Sequence, residues 1–265
     1  MNILDKIIID KKREVELKKS IIPVSQLEAS VLFNSRTYSL SKLLKNSVSG
    51  IIAEHKRRSP SKAVINNNHS VEDVVLGYQN AGACGISVLT DGKYFGGSLD
   101  DLLLTKATVN IPILRKEFII DEFQIIEAKA YGASVIILIA SCLTVANTQL
   151  LAMKAKALGL EVLLELHDET ELEHICDEVD FVGINNRSLK SFEVNINHSL
   201  ELKNKLPKGK LSIAESGIYS VETYQLLKKE GFDGFLMGEY FMKEANPAAA
   251  FETFVKTIQP NDHAI

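Results

Sequence analysis

Eight short, nearly continuous apolar segments recur along this chain, with helical patterns between them. That alternation limits the fold more than any other feature. The segments begin at Ile51 and continue at 85–90, 112–116, 135–140, 161–165, 181–185, 211–215 and 234–238. Helical patterns start at Ser70, which with Asp73 reads as a capping box, and run through 121–131, 144–158, 169–176, 199–205, 221–229 and 248–258. Gly132, Gly159 and Gly231 stand just past three of these, as helix C-caps do. Strands that are apolar throughout are buried on both faces, which a parallel sheet covered by helices requires. Eight of them at an average repeat of about 25–30 residues describe a closed (β/α)8 barrel of the α/β class. An open, doubly wound sheet usually has fewer strands and often a Gly-rich loop after the first. Here the first loop is rich in Lys and Arg instead.

Ahead of the barrel, Ile3, Leu4, Ile7, Ile8 and Val15 recur at helical spacing over 2–20, so an amphipathic helix lying on a larger body is expected. Pro23 ends it, and a second short helix is expected around Leu40, Leu43 and Leu44. The expected organisation is a helical extension over 1–48 that covers the barrel mouth, a barrel over 49–259, and a disordered tail over 260–265. A hydrophobic fraction of 46% is ample for one core, and the formal net charge of −4 argues against nucleic acid as a partner. Asp5, Lys6 and Asp10 interrupt the first apolar residues, so these do not read as a signal peptide. No run approaches the length needed to span a bilayer, and no membrane partner is expected. Cys84, Cys142 and Cys176 are odd in number and widely spaced, with neither metal-ligand nor disulfide spacing, which fits the cytoplasm.

Function in such barrels resides at the C-terminal ends of the strands. The first strand runs Ile51-Ile52-Ala53-Glu54-His55-Lys56-Arg57-Arg58-Ser59-Pro60-Ser61. Alternation puts Glu54 and Lys56 on one face and His55 on the other. The Ser-Pro-Ser turn offers hydroxyls to an anionic group. The other ends deliver Thr90, Lys116, Glu165, Asn185 with Arg187, Glu215 with Ser216, and Gly238 with Glu239. A lone strand-end Glu is ordinarily a solvated cap. Two lysines and several carboxylates converging on one mouth shift each other's pKa values, and so separate acid from base.

Strands seven and eight close in Gly-containing turns, and backbone N–H groups around Gly217, Gly238 and Glu239 are expected to cradle a phosphate, with help from Ser59 or Lys56. Read more plainly, these are turn glycines. Phe95 and Phe118 lie near the rim and suit an apolar wall for an aromatic substrate, although aromatic residues in such places ordinarily serve packing.

Taken together, these motifs resemble the indole-3-glycerol-phosphate synthase family of tryptophan biosynthesis. The similarity runs from the N-terminal helix to Pro247. It is carried by Ile-Ala-Glu-His-Lys-Arg-Arg-Ser-Pro-Ser, Ser-Val-Leu-Thr-Asp with Phe-Gly-Gly-Ser, Pro-Ile-Leu-Arg-Lys-Glu-Phe, Leu-Leu-Glu-Leu-His-Asp-Glu, Gly-Ile-Asn-Asn-Arg-Ser-Leu and Ala-Glu-Ser-Gly-Ile. The chain departs from the usual pattern at Glu117 and Ser188, where the family has Asp, and at the bulkier Tyr240-Phe241. The resemblance implies a TIM barrel with an N-terminal helical extension and a lyase without metal or organic cofactor. Its substrate would be 1-(2-carboxyphenylamino)-1-deoxyribulose 5-phosphate, which closes a ring and loses CO2 and water. The implied catalytic residues are Glu54, Lys56, Lys116, Glu165, Asn185, Glu215 and Ser216. Among them Lys116 serves as the acid for ring closure, Glu165 as the base for dehydration with Glu54 as a supporting carboxylate, and Lys56 as the partner of the substrate carboxylate or of developing charge. Ser59, Phe95, Phe118, Arg187, Gly217, Gly238 and Glu239 are the implied binding residues. A lysine working as an acid is expected to have its pKa lowered towards neutrality by Lys56, Arg115 and partial burial. The partner is a phosphorylated small molecule, and the chain is expected to be a monomer or weak homo-oligomer. The alternatives are another phosphate-binding barrel, such as the isomerase preceding this step, or a silent scaffold barrel.

Overall fold

The computed structural model describes residues 2–188 and 193–259; the tail expected at 260–265 lies outside them. Eight parallel strands close on themselves in sequence order: β1 (Ile51–His55), β2 (Gly85–Leu89), β3 (Ile113–Lys116), β4 (Val135–Ile139), β5 (Glu161–Leu166), β6 (Phe181–Asn185), β7 (Leu211–Glu215) and β8 (Gly234–Met237). The pairing of Ile51 with Phe235 and of Ala53 with Met237 joins the last strand to the first.

Pleating sorts the strand residues into two sets. Ile51, Ala53, Val88, Ile136, Leu164 and Val182 face outward and join the core beneath the helices. Ile52, Leu114, Leu163 and Ile213 face inward. Strands in such a barrel are tilted, and neighbours climb by about one residue per strand, so inward side chains from alternate strands reach one level. The lower level from β1, β3, β5 and β7 is thus four aliphatic side chains. Two residues further along the same strands stand Glu54, Lys116, Glu165 and Glu215. The barrel changes from hydrocarbon to charge within one pleat.

Between the strands run α4 (Val71–Asn80), α5 (Gly92–Phe95), α6 (Leu99–Thr108), α7 (Glu122–Ala130), α8 (Val145–Ala157), α9 (Ile196–Lys203), α10 (Val221–Lys229), α11 (Glu239–Met242) and α12 (Pro247–Ile258). Caps set several boundaries: the Ser70 hydroxyl accepts from the Asp73 N–H, and Asp121 forms a capping box with Gln124. Apolar periodicity does not announce α6, whose leucines are bunched and whose start is marked by Ser98 with Asp100 and Asp101 in the first turn. The helix expected over 169–176 is a 3-10 helix over Glu169–His174, tightened around the Asp168 cap.

Ahead of the barrel come α1 (Ile3–Ile21), α2 (Val24–Glu28) and α3 (Leu40–Asn46). Residues of α1 pack over the strand C-termini, with Ile7 in the same apolar cluster as Phe118 and Ile139. Conversely, α3 sits at the strand N-termini. Leu40 Cδ1 lies 2.9 Å from where a Cβ on Gly85 would be, and Leu44 Cδ2 lies 3.0 Å from the corresponding point on Gly234. The Leu40 N–H donates to Glu161 at 2.6 Å. Residues 2–48 are therefore divided between the two ends of the barrel rather than gathered over the mouth.

Candidate active site

One cavity opens at the C-terminal ends of the strands, and all fourteen implied catalytic and binding residues line it, whereas Thr90 does not. Its floor is the charged level. Lys116 Nζ stands 2.7 Å from Glu165 Oε2 and 2.6 Å from Glu215 Oε2. Lys56 Nζ stands 2.7 Å from Glu54 Oε1, and the Ser87 hydroxyl donates to Glu54 Oε2 at 3.3 Å. Alternation holds on β1: Glu54 and Lys56 face the cavity, whereas His55 is buried outside it, where burial and Arg57 bring its pKa down to about 4.

The two carboxylates beside Lys116 differ in their surroundings. Glu165 accepts from Asn185 Nδ2 at 3.2 Å and has His167 Nε2 at 3.3 Å from Oε1. Glu215 has no partner for Oε1, which lies against Gly183, where a Cβ would come within 2.1 Å of it. Negative charge therefore settles on Glu165. Burial raises its pKa, but Lys116 and His167 outweigh burial and hold it well below the usual range. Glu215 is pushed up to about 8 by burial and by the charge of Glu165, against the pull of Lys116. The expected lowering of Lys116 does not occur. Burial acts in that direction, but Glu165, Glu215 and Glu54 together raise its pKa above the ordinary value. Lys56 is turned to Glu54, and Arg115 points away from the cavity to Glu127, at 2.6 Å.

The seventh loop turns through two successive left-handed residues, Ser216 at φ 64° and Gly217 at φ 73°. Left-handed backbone costs an L-residue about 1–2 kcal/mol. Asn186 offsets this by donating its amide to the carbonyls of Glu215 and Ser216, at 3.0 and 2.8 Å. A side chain at Gly217 would meet Val194 Cγ1 at 2.4 Å, and one at Gly238 would meet Glu54 Cβ at 2.8 Å. Among the described residues, the N–H groups of Gly217, Gly238 and Glu239 have no hydrogen-bond partner. Two ammonium groups reach this side: Lys62, 2.5 Å from Glu239, and Lys56, whose partner oxygen Glu54 Oε1 lies 2.8 Å from where a Cβ on Gly238 would be. Arg187 lies 3.4 Å from Glu239 and donates to the Tyr219 hydroxyl at 2.6 Å.

Across the mouth, the rings of Phe95 and Phe118 lie 6.0 Å apart, and Ile3, Leu4 and Ile7 of α1 complete an apolar wall. Sequence reasoning missed His167, Tyr219 and Lys62. For His167 a signal existed: it follows Glu165 by two residues and so shares its face. No group of three or more His, Cys, Asp or Glu among the described residues is placed to hold a metal.

A family profile described as indole-3-glycerol phosphate synthase matches residues 4–254. The chain is 44% identical to an indole-3-glycerol phosphate synthase of Bacteroides thetaiotaomicron over 258 residues, covering 97% of this chain and 99% of that one. It is 41% identical to one of Campylobacter fetus over 245 residues, covering 91% and 95%. Among solved structures it resembles a chain of the tryptophan synthase complex from Pyrococcus furiosus, with a TM-score of 0.58 at 16% identity, covering 80% of this chain and 98% of that one. That last likeness concerns the fold.

Proposed function

The chain belongs to the indole-3-glycerol phosphate synthase family, and from that premise we propose how its residues divide the work. It is a carbon–carbon lyase of tryptophan biosynthesis acting on a phosphorylated small molecule. The substrate 1-(2-carboxyphenylamino)-1-deoxyribulose 5-phosphate closes a ring and loses CO2 and water. The observation that carries the assignment is Lys116 held between Glu165 and Glu215, facing an aromatic wall.

The anthranilate ring lies against Phe95 and Phe118, and the phosphate takes the free N–H groups of Gly217, Gly238 and Glu239. Ser59 and Lys62 stand beside them. Lys56 and Arg187 meet the substrate carboxylate, and Asn185 and Ser216 orient the sugar hydroxyls. A lysine held protonated chiefly by the Glu165 carboxylate, with Glu215 at its other side, gives up its proton only after losing one of those contacts. The substrate ketone oxygen, entering beside Nζ, displaces one of them and becomes the acceptor. As the ring carbon attacks the ketone carbon, the oxygen takes the Lys116 proton and becomes a hydroxyl. Lys116 is then neutral, and the main influence holding Glu165 acidic is gone. The same transfer that completes ring closure thus makes Glu165 basic enough for the later step. After CO2 leaves, Glu165 removes a proton from the new ring's carbon while Lys56, beside Glu54, protonates the hydroxyl so that it departs as water; Glu165 then returns its proton to Lys116, and Lys56 regains its own from solvent. Each positioned acid or base of this kind contributes about 10²–10⁴-fold, and folding a flexible sugar against the wall supplies the remainder.

An isomerase-like barrel would use the same phosphate loops but has no need of this lysine between two carboxylates, and a silent scaffold has no reason to keep it. The chain contains no Trp, so indole absorbance and fluorescence of the product are read without interference. Appearance of that signal from the substrate supports the reading, and its absence with folded protein refutes it. We place the protein in the cytoplasm as a monomer or weak homo-oligomer. Its three cysteines are free, and no helix among the described residues is long and apolar enough to cross a membrane.

A further inference from the structure

The buried stripe of α1 is Ile7, Lys11 and Val15, so a lysine occupies the middle of an apolar face. Lys11 is 1% exposed. Its ammonium stands 2.9 Å from Asp91, 3.0 Å from Glu117 and 2.7 Å from Glu14. Two of these carboxylates also hold backbone of the aromatic wall. Asp91 Oδ1 accepts the N–H groups of Tyr94 and Phe95, at 2.7 and 3.3 Å. Glu117 Oε1 accepts the Phe118 N–H at 2.8 Å, and its Oε2 accepts the Thr90 hydroxyl at 2.8 Å. One cation thus joins the turn carrying Phe95, the strand end carrying Phe118, and the helix that roofs them. Without it, buried Asp91 would lose its ammonium partner and Glu117 would keep only Arg115, whose Nη2 stands 3.7 Å from Oε2.

We propose that Lys11 is a positioning residue for the aromatic part of the substrate. Its charge sets the spacing of Phe95 and Phe118 and seats α1 over them. This rests on the reading of the cavity given above. Aromatic contacts are worth about one factor of ten, so Lys11→Met is expected to raise KM about tenfold and to lower kcat less than threefold. Lys11→Arg keeps the charge but not the compact ammonium, and should recover only part of the loss. Two controls separate positioning from general loosening. Lys11→Met should weaken binding of indole-3-glycerol phosphate while leaving that of glycerol 3-phosphate, which lacks the ring, unchanged. In a Phe95→Leu, Phe118→Leu background the same substitution should shift KM less than twofold. Where Lys11→Met does not fold, Lys11→Arg carries the same comparison of the two ligands. The proposal is overturned if product binding and KM match the wild type, or if both ligands weaken together. A wild type that forms no indole would instead overturn the functional reading.

Discussion

At the scale of single residues, the centre of the site is a question of where one proton resides. Lys116→Met should abolish ring closure, leaving substrate intact with no cyclised intermediate. Lys116→Arg should fail nearly as badly, because a guanidinium does not release its proton. Single-turnover rates decide this, and a wild-type rate in Lys116→Arg would sink the assignment. Glu215 gives a pH signature. Its folded pKa, about 8, exceeds its ordinary 4.5, so the stability associated with its bound proton is full below pH 4.5 and lost as pH rises through 8. Glu215→Gln mimics the protonated form. It should therefore raise the melting temperature, relative to wild type, more at pH 8.5 than at pH 5; an equal difference at both pH values contradicts the raised pKa. Which residues gather here was legible from strand ends and alternation. The direction of the Lys116 shift was not, because it depends on which carboxylates face Nζ across the barrel. Lysine and arginine neighbours in sequence point elsewhere. Lys11 was equally hidden, since a lysine followed by Lys12 and Arg13 reads as solvated.

At the scale of elements, the loops after β7 and β8 were legible as glycine turns, and their crowding was not. Gly217→Val forces a branched side chain into left-handed backbone and against Val194. It should raise KM more than it lowers kcat, because phosphate binding is shared by ground and transition states. Steady-state parameters test this, and a fall confined to kcat would argue against a phosphate at this loop. The left-handed Ser216 carries no sequence mark of its own. It is held by the amide of Asn186, just past the end of the neighbouring strand, through a contact that pattern reasoning along one chain segment does not reach. Similarly, the bunched leucines of α6 lack the period that marks the other crossover helices, and it was the barrel's closure that required one there.

At the scale of the whole molecule, strand count and closure were legible because each strand is buried on both faces. The division of residues 2–48 was not, since an amphipathic stripe shows that a face is covered but not by what. Removing residues 2–22 should leave a folded barrel with impaired kcat/KM, whereas removing residues 2–46 also takes away Leu40 and Leu44. Core deletions of this kind cost about 2–5 kcal/mol each, enough together to exhaust an ordinary margin of stability. Thermal melts of the two truncations check this, and equal melting temperatures would show that α3 is dispensable. The two-ended segment also bears on the order of folding. Leu44 rests against Gly234, the first residue of the last strand, and α1 rests over strand ends that exist only in the closed barrel. The helices that precede the barrel thus have no finished surface to dock on until its last strand has joined the first. In pulse-labelled hydrogen exchange, amides of α1 and α3 should gain protection after those of β1 and β8, so that the helices preceding the barrel in the chain are the last to come to rest.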